Sequence, residues 1–155
     1  MAFLFQLTVE CDNDHETALR VKRCLEGDTI TLGGGRTFYL RANDVSRDER
    51  GRWWVSVGLQ DGDRFLQSSD NSTLLAEAGE KLYEKLKVVH GYRFALVGIE
   101  VFQFNDVESL PKLLAVPGLK GLVINKELLQ KLNLRKDFVE FCSGYWWLPS
   151  DYKYG

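Results

Sequence analysis

Within the segment Phe3–Cys11, near the start of the chain, apolar and polar residues alternate from Phe5 onward. Alternation with a period of two places one set of side chains on one face of a sheet and the other set on the opposite face. The inward set would include Phe5 and Leu7, and the outward set would include Leu4 and Gln6. The pattern therefore predicts a half-buried β-strand.

A helical period follows this strand. Ala18, Val21 and Leu25 are spaced three to four residues apart, so they would share one face of a helix. Asn13, followed by an acidic residue three positions later, is typical of a capping box at a helix N-terminus. Gly27 fits the end of the same helix. The first predicted unit is a strand followed by a helix.

From Asp28 to Gln67 the chain changes to short β-rich runs separated by turn residues, with Asp61-Gly62 as a two-residue hairpin turn. A long amphipathic helix is predicted from Ser69 to His90, and a strand from Tyr92 to Phe104. This order predicts an α+β fold of the ferredoxin-like kind, in which an antiparallel sheet carries two helices on one face. The β-meander in the middle of the chain would be an addition to the basic ferredoxin-like fold.

All three prolines lie in the last third of the chain. This shift predicts a boundary near Asn105, between a ferredoxin-like core of residues 1–104 and a C-terminal extension of residues 105–155. Within the extension we predict helices over 106–114 and 125–132. A segment of about 50 residues is marginal alone, so we expect this α-rich extension to pack on the sheet within one compact domain.

The composition indicates which partners and which cellular compartment to expect. The 155 residues include 20 basic and 22 acidic side chains, for a formal net charge of −2, which does not favour nucleic acid as a partner. Three widely spaced cysteines favour reduced thiols. The N-terminus lacks the basic flank of a signal peptide, and no apolar run is long enough for a membrane span. We therefore expect a soluble cytoplasmic protein.

The segment Arg50–Val57 resembles the third-strand signature of the RNA-recognition motif. Its first, second and sixth residues match, and Trp54 stands at the aromatic fifth position. The resemblance implies stacking of bases on this strand. However, Arg52 replaces the aromatic third residue and Trp53 the small fourth one, and the first strand offers no outward aromatic. The sequence therefore argues against RNA binding.

The strand predicted over Tyr92–Phe104 carries large apolar residues on both faces. Phe94 and Leu96 would share the outward face, where Trp54 of an earlier strand would join them. Such a patch is too apolar to remain in water. Either a partner surface, including a second copy of the chain, covers it, or the extension does. The candidate covering residues of the extension are Leu113, Leu119, Leu122, Phe138, Phe141 and Trp146.

Three short stretches contain residues that could form a metal, phosphate or catalytic site. Cys11–Glu16 gathers acidic residues and a histidine, but it departs from the calcium-loop pattern and is explained by helix capping. Gly33–Arg36 leads into a strand-like run and not a helix, which indicates a hairpin turn and not a phosphate site. Cys142 has no local partner, so an inert thiol is expected. We predict no metal and no cofactor.

These observations favour a non-catalytic protein-interaction or regulatory module. It would bind a protein partner, or a second copy of itself as a homodimer, through an aromatic surface made by the sheet face and the C-terminal tail. The alternative is a small enzyme or small-molecule-binding protein with a pocket between sheet and tail, using Asp12, His15 or Glu100 as acid–base groups. No catalytic residue is assigned. The predicted binding residues are Trp54, Phe94, Tyr145, Trp146 and Trp147.

Overall fold

The computed structural model describes residues 5–62, 66, 72–99, 110, 121–134 and 137–149. Within these ranges the protein is a mixed α+β structure with nine strands in one antiparallel sheet and three helices. The first elements in chain order are β1 (Phe5–Glu10), α1 (His15–Leu25), β2 (Thr29–Leu32), β3 (Arg36–Ala42), β4 (Ser46–Arg47) and β5 (Trp53–Leu59). They are followed by α2 (Ser72–Leu86), β6 (Phe94–Ile99), β7 (Val123–Asn125), α3 (Lys126–Lys131), β8 (Val139–Cys142) and β9 (Tyr145–Trp147).

The sheet order is β2-β3-β5-β1-β6-β7-β9-β8, and β4 pairs with β5 beside this path. β1 lies near the middle, between β5 and β6, and is antiparallel to both. Residues that the sequence predicts to face outward on this strand, among them Gln6 and Glu10, are buried. The strand was predicted to be half-buried, and this is wrong because a central strand of this sheet is covered on both faces.

Helices α1 and α2 pack on the same face of the sheet. Ala18, Val21 and Leu25 of α1 join the core cluster that includes Leu7 and Val57, as the helical spacing predicts. The stripe predicted on α2, with Leu82 and Leu86 at its centre, is buried in that cluster too. Aliphatic side chains at i, i+3 and i+4 therefore supply the interior contacts of both helices.

The N-cap of α1 is Asp14 and not the predicted Asn13. Its carboxylate accepts hydrogen bonds from the backbone N–H of Thr17 at 3.1 Å and from the Thr17 hydroxyl at 2.8 Å. These bonds hold the pKa of Asp14 below its usual value, the hydroxyl bond being the larger cause. Because Thr17 supplies two donors to Asp14, the cap falls one residue later than the sequence pattern indicates. Gly27, at a φ of +83°, follows the helix end as predicted.

The β-rich middle of the chain is confirmed in part. β2 and β3 form an antiparallel hairpin, with Ile30 opposite Phe38. The turn at Asp61-Gly62 exists, because the Gly62 N–H donates to the Leu59 carbonyl at 3.0 Å. Leu66, predicted to lie in the next strand, is helical and donates to the Gly62 carbonyl at 2.9 Å. The strand prediction is therefore wrong at Leu66.

The described part of the extension adds strands to the sheet, whereas the sequence predicts helices. β7 pairs with β6, β9 pairs with β7, and β8 forms the last strand. The predicted helix over 125–132 is confirmed as α3, capped by Asn125, whose side chain accepts from the Leu128 N–H at 2.8 Å. The predicted helix over 106–114 and the boundary near Asn105 lie outside the described residues, apart from Leu110. No helix in the described ranges combines the length and apolar character needed to cross a membrane.

A second core cluster covers the opposite face of the sheet. It brings Trp54, Phe94 and Leu96 of the sheet together with residues of the extension. Of the covering residues proposed from the sequence, Leu122, Phe138 and Trp146 belong to this cluster, while Phe141 packs on the other face. Leu113 and Leu119 lie outside the described residues. The extension of the same chain therefore covers this apolar face. The remaining buried members of the second cluster are Leu110, Ile124, Leu128 and Leu129.

Candidate functional site

Three of the five predicted binding residues lie inside the protein. Trp54 is 1% exposed, Phe94 is 0% exposed and Tyr145 is 5% exposed. Trp54 and Phe94 contact each other edge to face, with ring centroids 5.7 Å apart. These rings pack in the interior of the folded chain. Their proposed binding role stays a prediction.

Tyr145 joins the tail to the core through its ring and its hydroxyl. The ring stacks on Tyr92 at a centroid distance of 4.1 Å. The hydroxyl donates to the Tyr92 carbonyl at 2.8 Å and accepts from the Gly91 N–H at 3.0 Å. Burial raises the pKa of Tyr145 to about 12. The residue is therefore a neutral anchor that fixes β9 against the loop between α2 and β6.

Trp146 and Trp147 keep partly exposed side chains and lie on opposite faces of β9. Trp147 contacts Tyr83 and Phe141 at centroid distances of 5.4 and 5.7 Å, on the face that carries α2. Trp146 packs at the border of the second cluster, beside α3. Strand alternation accounts for this division. Each face thus presents one half-buried tryptophan near the end of the described chain.

A surface cleft of about 200 Å³ lies beside Trp146. Leu129 forms its apolar wall together with the indole, and Lys126, Gln130 and Asn133 provide polar groups. Asn125 starts α3 directly after β7, which places the helix over β9. The aromatic content of the tail indicates Trp146, but the predictions miss the residues that α3 contributes. The Asn125 cap is the signal in the sequence that locates this helix.

Trp146 is one of several partly buried apolar residues that pack against the second cluster. Leu132 and Leu134 follow α3, Leu148 follows β9, and all three pack against the second cluster without being fully buried. An aromatic residue inside a ring of mixed polar and apolar neighbours is typical of the centre of a protein interface. Such sites recognise a partner by inserting a side chain and excluding water.

Two of the three side chains proposed as acid–base groups, Asp12 and His15, contact other side chains of the protein. Asp12 forms an ion pair with Arg52, and Arg93 Nη1 lies 3.9 Å from the same carboxylate. His15 stacks on Trp53 at a centroid distance of 4.1 Å. Glu100 lies outside the described residues. Among the residues that the structure describes, no group of three His, Cys, Asp or Glu side chains could hold a metal ion.

The glycine run at Gly33 forms the turn between β2 and β3. Gly34 and Gly35 have φ values of +90° and +81°, a conformation that glycine adopts without strain. A Cβ on Gly33 would lie 3.2 Å from Oε2 of Glu77, so a carboxylate stands next to the turn. That negative charge would repel a phosphate, and the geometry agrees with the predicted hairpin turn.

The three cysteines are unpaired and lie in different environments. Cys24 is exposed on α1, Cys142 is partly buried, and Cys11 is fully buried beneath α1. Burial raises the pKa of Cys11 to about 12 and also raises the pKa of Cys142, so neither thiol is activated as a nucleophile.

This difference predicts an order of thiol labelling in the native protein. At pH 7.5, N-ethylmaleimide should modify Cys24 first, Cys142 at least about tenfold more slowly, and Cys11 only after unfolding, because thiolate concentration and access set the rate. Mass spectrometry of tryptic peptides at timed intervals measures each site. Labelling in urea provides the control for full reactivity. Fast labelling of Cys142 in the native protein would contradict the inert-thiol interpretation.

Comparisons with known proteins found no match for this chain among protein-family models, curated proteins or solved structures. The fold and the cleft beside Trp146 are therefore the basis for any statement about function.

Proposed function

We propose that this chain is a non-catalytic protein-interaction or regulatory module. It binds a protein partner, or a second copy of itself, through the cleft between α3 and Trp146. The observation that carries the proposal is a half-buried tryptophan at a cleft with one apolar wall and a polar rim. Tryptophan is enriched among the residues that dominate binding energy at interfaces.

The polar residues of the cleft have the arrangement that an interface needs. Lys126 and Gln130 lie one helical turn apart on α3 and are exposed, while Leu129 between them is buried. A partner side chain inserted against Leu129 and the indole would therefore be surrounded by groups able to hydrogen-bond to the partner backbone. Water exclusion by such a rim strengthens the central contact.

The size of the cleft favours a partner side chain over a free small molecule. At about 200 Å³ it lies below the range of roughly 300–1,000 Å³ that is usual for pockets holding drug-sized ligands. A single leucine, methionine or aromatic side chain would fill it. The rest of the affinity would come from contacts outside the cleft, including those with Leu132, Leu134 and Leu148.

We further propose that β1, β3, β5 and β6 form a ferredoxin-like core. Their sheet order, β3-β5-β1-β6, and the placement of α1 and α2 on one face support this layout. On this interpretation β7, β8 and β9 extend the core sheet beyond β6, and the interaction site belongs to the extension. A cytoplasmic location, supported by the unpaired cysteines, completes the proposal.

Blocking the cleft tests the proposed function. Gln130→Arg places a long charged side chain in the cleft on an exposed position of α3, so the fold should be retained. Affinity capture from a lysate of the native host should yield a stoichiometric partner with the wild type. The variant should retain at least about tenfold less of it, as expected for the loss of an interface anchor. Light scattering after gel filtration measures the mass of the wild type and of the variant in solution, and so tests self-association.

The matched control is Asn13→Arg, which makes the same amide-to-guanidinium change at an exposed position before α1. Circular dichroism must show both variants folded. Equal capture by all three proteins would contradict the cleft as the binding site. A wild type that captures nothing and remains monomeric would contradict the interaction function itself.

A further inference from the structure

A second pocket lies on the same sheet face as the cleft, at the end formed by β1, β3 and β5. It has a volume of about 170 Å³ and is open to solvent. Gln6 of β1 is opposite Gly58 of β5, and Gly58 is also opposite Arg41 of β3. The three residues therefore form one row across three strands. Since Gly58 has no side chain, it leaves space between the Gln6 amide and the Arg41 guanidinium.

Gln6 supplies the observation that points to a ligand. Its side chain is 5% exposed and lines the pocket, and Nε2 has no hydrogen-bond partner among the described residues. Buried polar groups in folded proteins are nearly always hydrogen-bonded, so an unpaired amide at a pocket wall indicates a missing acceptor. Thr8 and Ser56, buried on the same face, satisfy each other at 3.1 Å.

The charged side chains at the pocket indicate which class of ligand would carry the missing acceptor. Arg41 is exposed at the pocket and forms no ion pair with any described residue. Asp61, at the turn after β5, lines the same pocket and is also free of ion pairs within the described part of the chain. A guanidinium is suited to planar oxyanions, which it can bind through two parallel hydrogen bonds. A carboxylate such as that of Asp61 binds ammonium groups.

We propose that this pocket binds a small zwitterion of the size of a free amino acid. Its carboxylate accepts hydrogen bonds from Gln6 Nε2 and from the Arg41 guanidinium, and its ammonium group pairs with Asp61. Asn43 provides a further polar group at the same pocket. The pocket is smaller than those that hold drug-sized ligands, which agrees with a ligand of this size. The site is separate from the cleft at Trp146, so either assignment stands without the other.

The test starts with the wild-type protein and each standard L-amino acid, added separately at millimolar concentration in a thermal-shift assay. At least one should raise Tm, because a ligand that binds the native state stabilises it. Titration calorimetry then gives Kd for that amino acid. The corresponding amine without the carboxylate, and the corresponding acid without the amine, should each bind at least about tenfold more weakly.

Three variants locate the site. Arg41→Ala should weaken binding about ten- to a hundredfold through the loss of a charge-assisted hydrogen bond. Gly58→Val should abolish binding by filling the pocket. A Cβ at this position lies 3.4 Å from the Phe5 carbonyl oxygen, its nearest neighbour, and circular dichroism must show the variant folded. Gln6→Leu should weaken binding without lowering the Tm of the free protein, because it removes an unpaired amide.

Arg36→Ala is the matched control, since Arg36 is an exposed arginine on the same strand as Arg41 and does not line the pocket. Its Kd should equal that of the wild type. The proposal is overturned if no amino acid shifts the Tm of the wild type, or if binding persists in both Arg41→Ala and Gly58→Val. Equal binding of the acid that lacks the amine would overturn the role of Asp61 and with it the zwitterion.

Discussion

Trp54→Ala should lower the free energy of unfolding by about 3–5 kcal/mol, the usual loss for truncating a large buried aromatic side chain. The indole is 1% exposed, contacts Phe94 edge to face and lies in the cluster that joins the sheet to the extension. Its Nε1–H donates to Oδ2 of Asp48 at 2.8 Å. Urea denaturation followed by circular dichroism measures the change.

Two further variants separate packing from hydrogen bonding. Tyr39→Ala truncates an aromatic residue that is 62% exposed on β3, and it should change stability by no more than about 0.5 kcal/mol. Trp54→Phe keeps a ring but removes the N–H donor, so it should cost an intermediate amount. A loss below about 1 kcal/mol for Trp54→Ala would show that the ring is not part of the core.

Asp48 holds the loop before β5 in place through several hydrogen bonds. Burial opposes its ionisation, but the bonds from Trp54 Nε1 and from the N–H groups of Arg52 and Arg50 outweigh this effect and lower its pKa. The carboxylate is therefore charged at neutral pH and serves as the acceptor for the indole. Truncating Trp54 would disturb this loop as well as the core.

The expected destabilisation makes Trp54→Ala unsuitable for testing the interaction site. The sequence makes Trp54 a natural residue to mutate, because its strand alternation points it away from the first core cluster. Loss of partner binding by Trp54→Ala would report unfolding and not a lost contact. Gln130, which is exposed at the cleft, allows the test without that confusion.

The elements of the first hundred residues were largely predictable because they are long and periodic. α2 is 15 residues long and carries an apolar stripe, and β5 is seven residues long, so each element has enough residues for its type to be recognised. β7 and β9 are three residues long, too short for a period to appear. β7 pairs with β6 and β9, and β9 pairs with β7 and β8, so their strand character depends on neighbouring strands that the local sequence does not encode. This is why the extension was predicted to be α-rich.

The candidate site was predictable only in part for a related reason. Composition indicates the aromatic residues of the tail, and Trp146 and Trp147 are both partly exposed, on opposite faces of β9. Burial of Trp54 and Phe94, however, depends on Leu122 and Phe138, which are distant along the chain. Which aromatic residues remain at the surface is thus a property of the assembled fold and not of any segment.

The sequence predicts that the polar residues on the outward face of β1 contact solvent, but the structure buries them. Glu10 is 1% exposed and lies at the end of this strand. Arg93, which precedes β6, donates to both carboxylate oxygens, with Nε 2.9 Å from Oε1. The Asp12 N–H donates to the same carboxylate. A buried carboxylate is tolerated here because its lone pairs meet charged and backbone donors.

Glu10→Gln should therefore destabilise the protein by about 3 kcal/mol or more, the usual cost of breaking a buried ion pair by removing one partner. The substitution preserves shape but removes the carboxylate closest to the largely buried Arg93 cation, whose side chain is 16% exposed, and leaves the Asp12 carboxylate at 3.9 Å from Nη1. It also points an N–H₂ group at guanidinium N–H groups. Urea denaturation at neutral pH measures the loss.

A double-mutant cycle shows whether the loss comes from the unpaired charge. Glu10→Leu alone and Arg93→Met alone should each be costly, because each leaves one buried member of the pair without its main partner. The Glu10→Leu, Arg93→Met pair should recover most of the stability, since apolar pairs often replace buried ion pairs at little cost. The pair can pack against Phe94, whose ring centroid lies 5.8 Å from the Arg93 guanidinium carbon. Additive losses in the double variant would mean that Glu10 and Arg93 act independently, and that the carboxylate is held mainly by the Asp12 N–H.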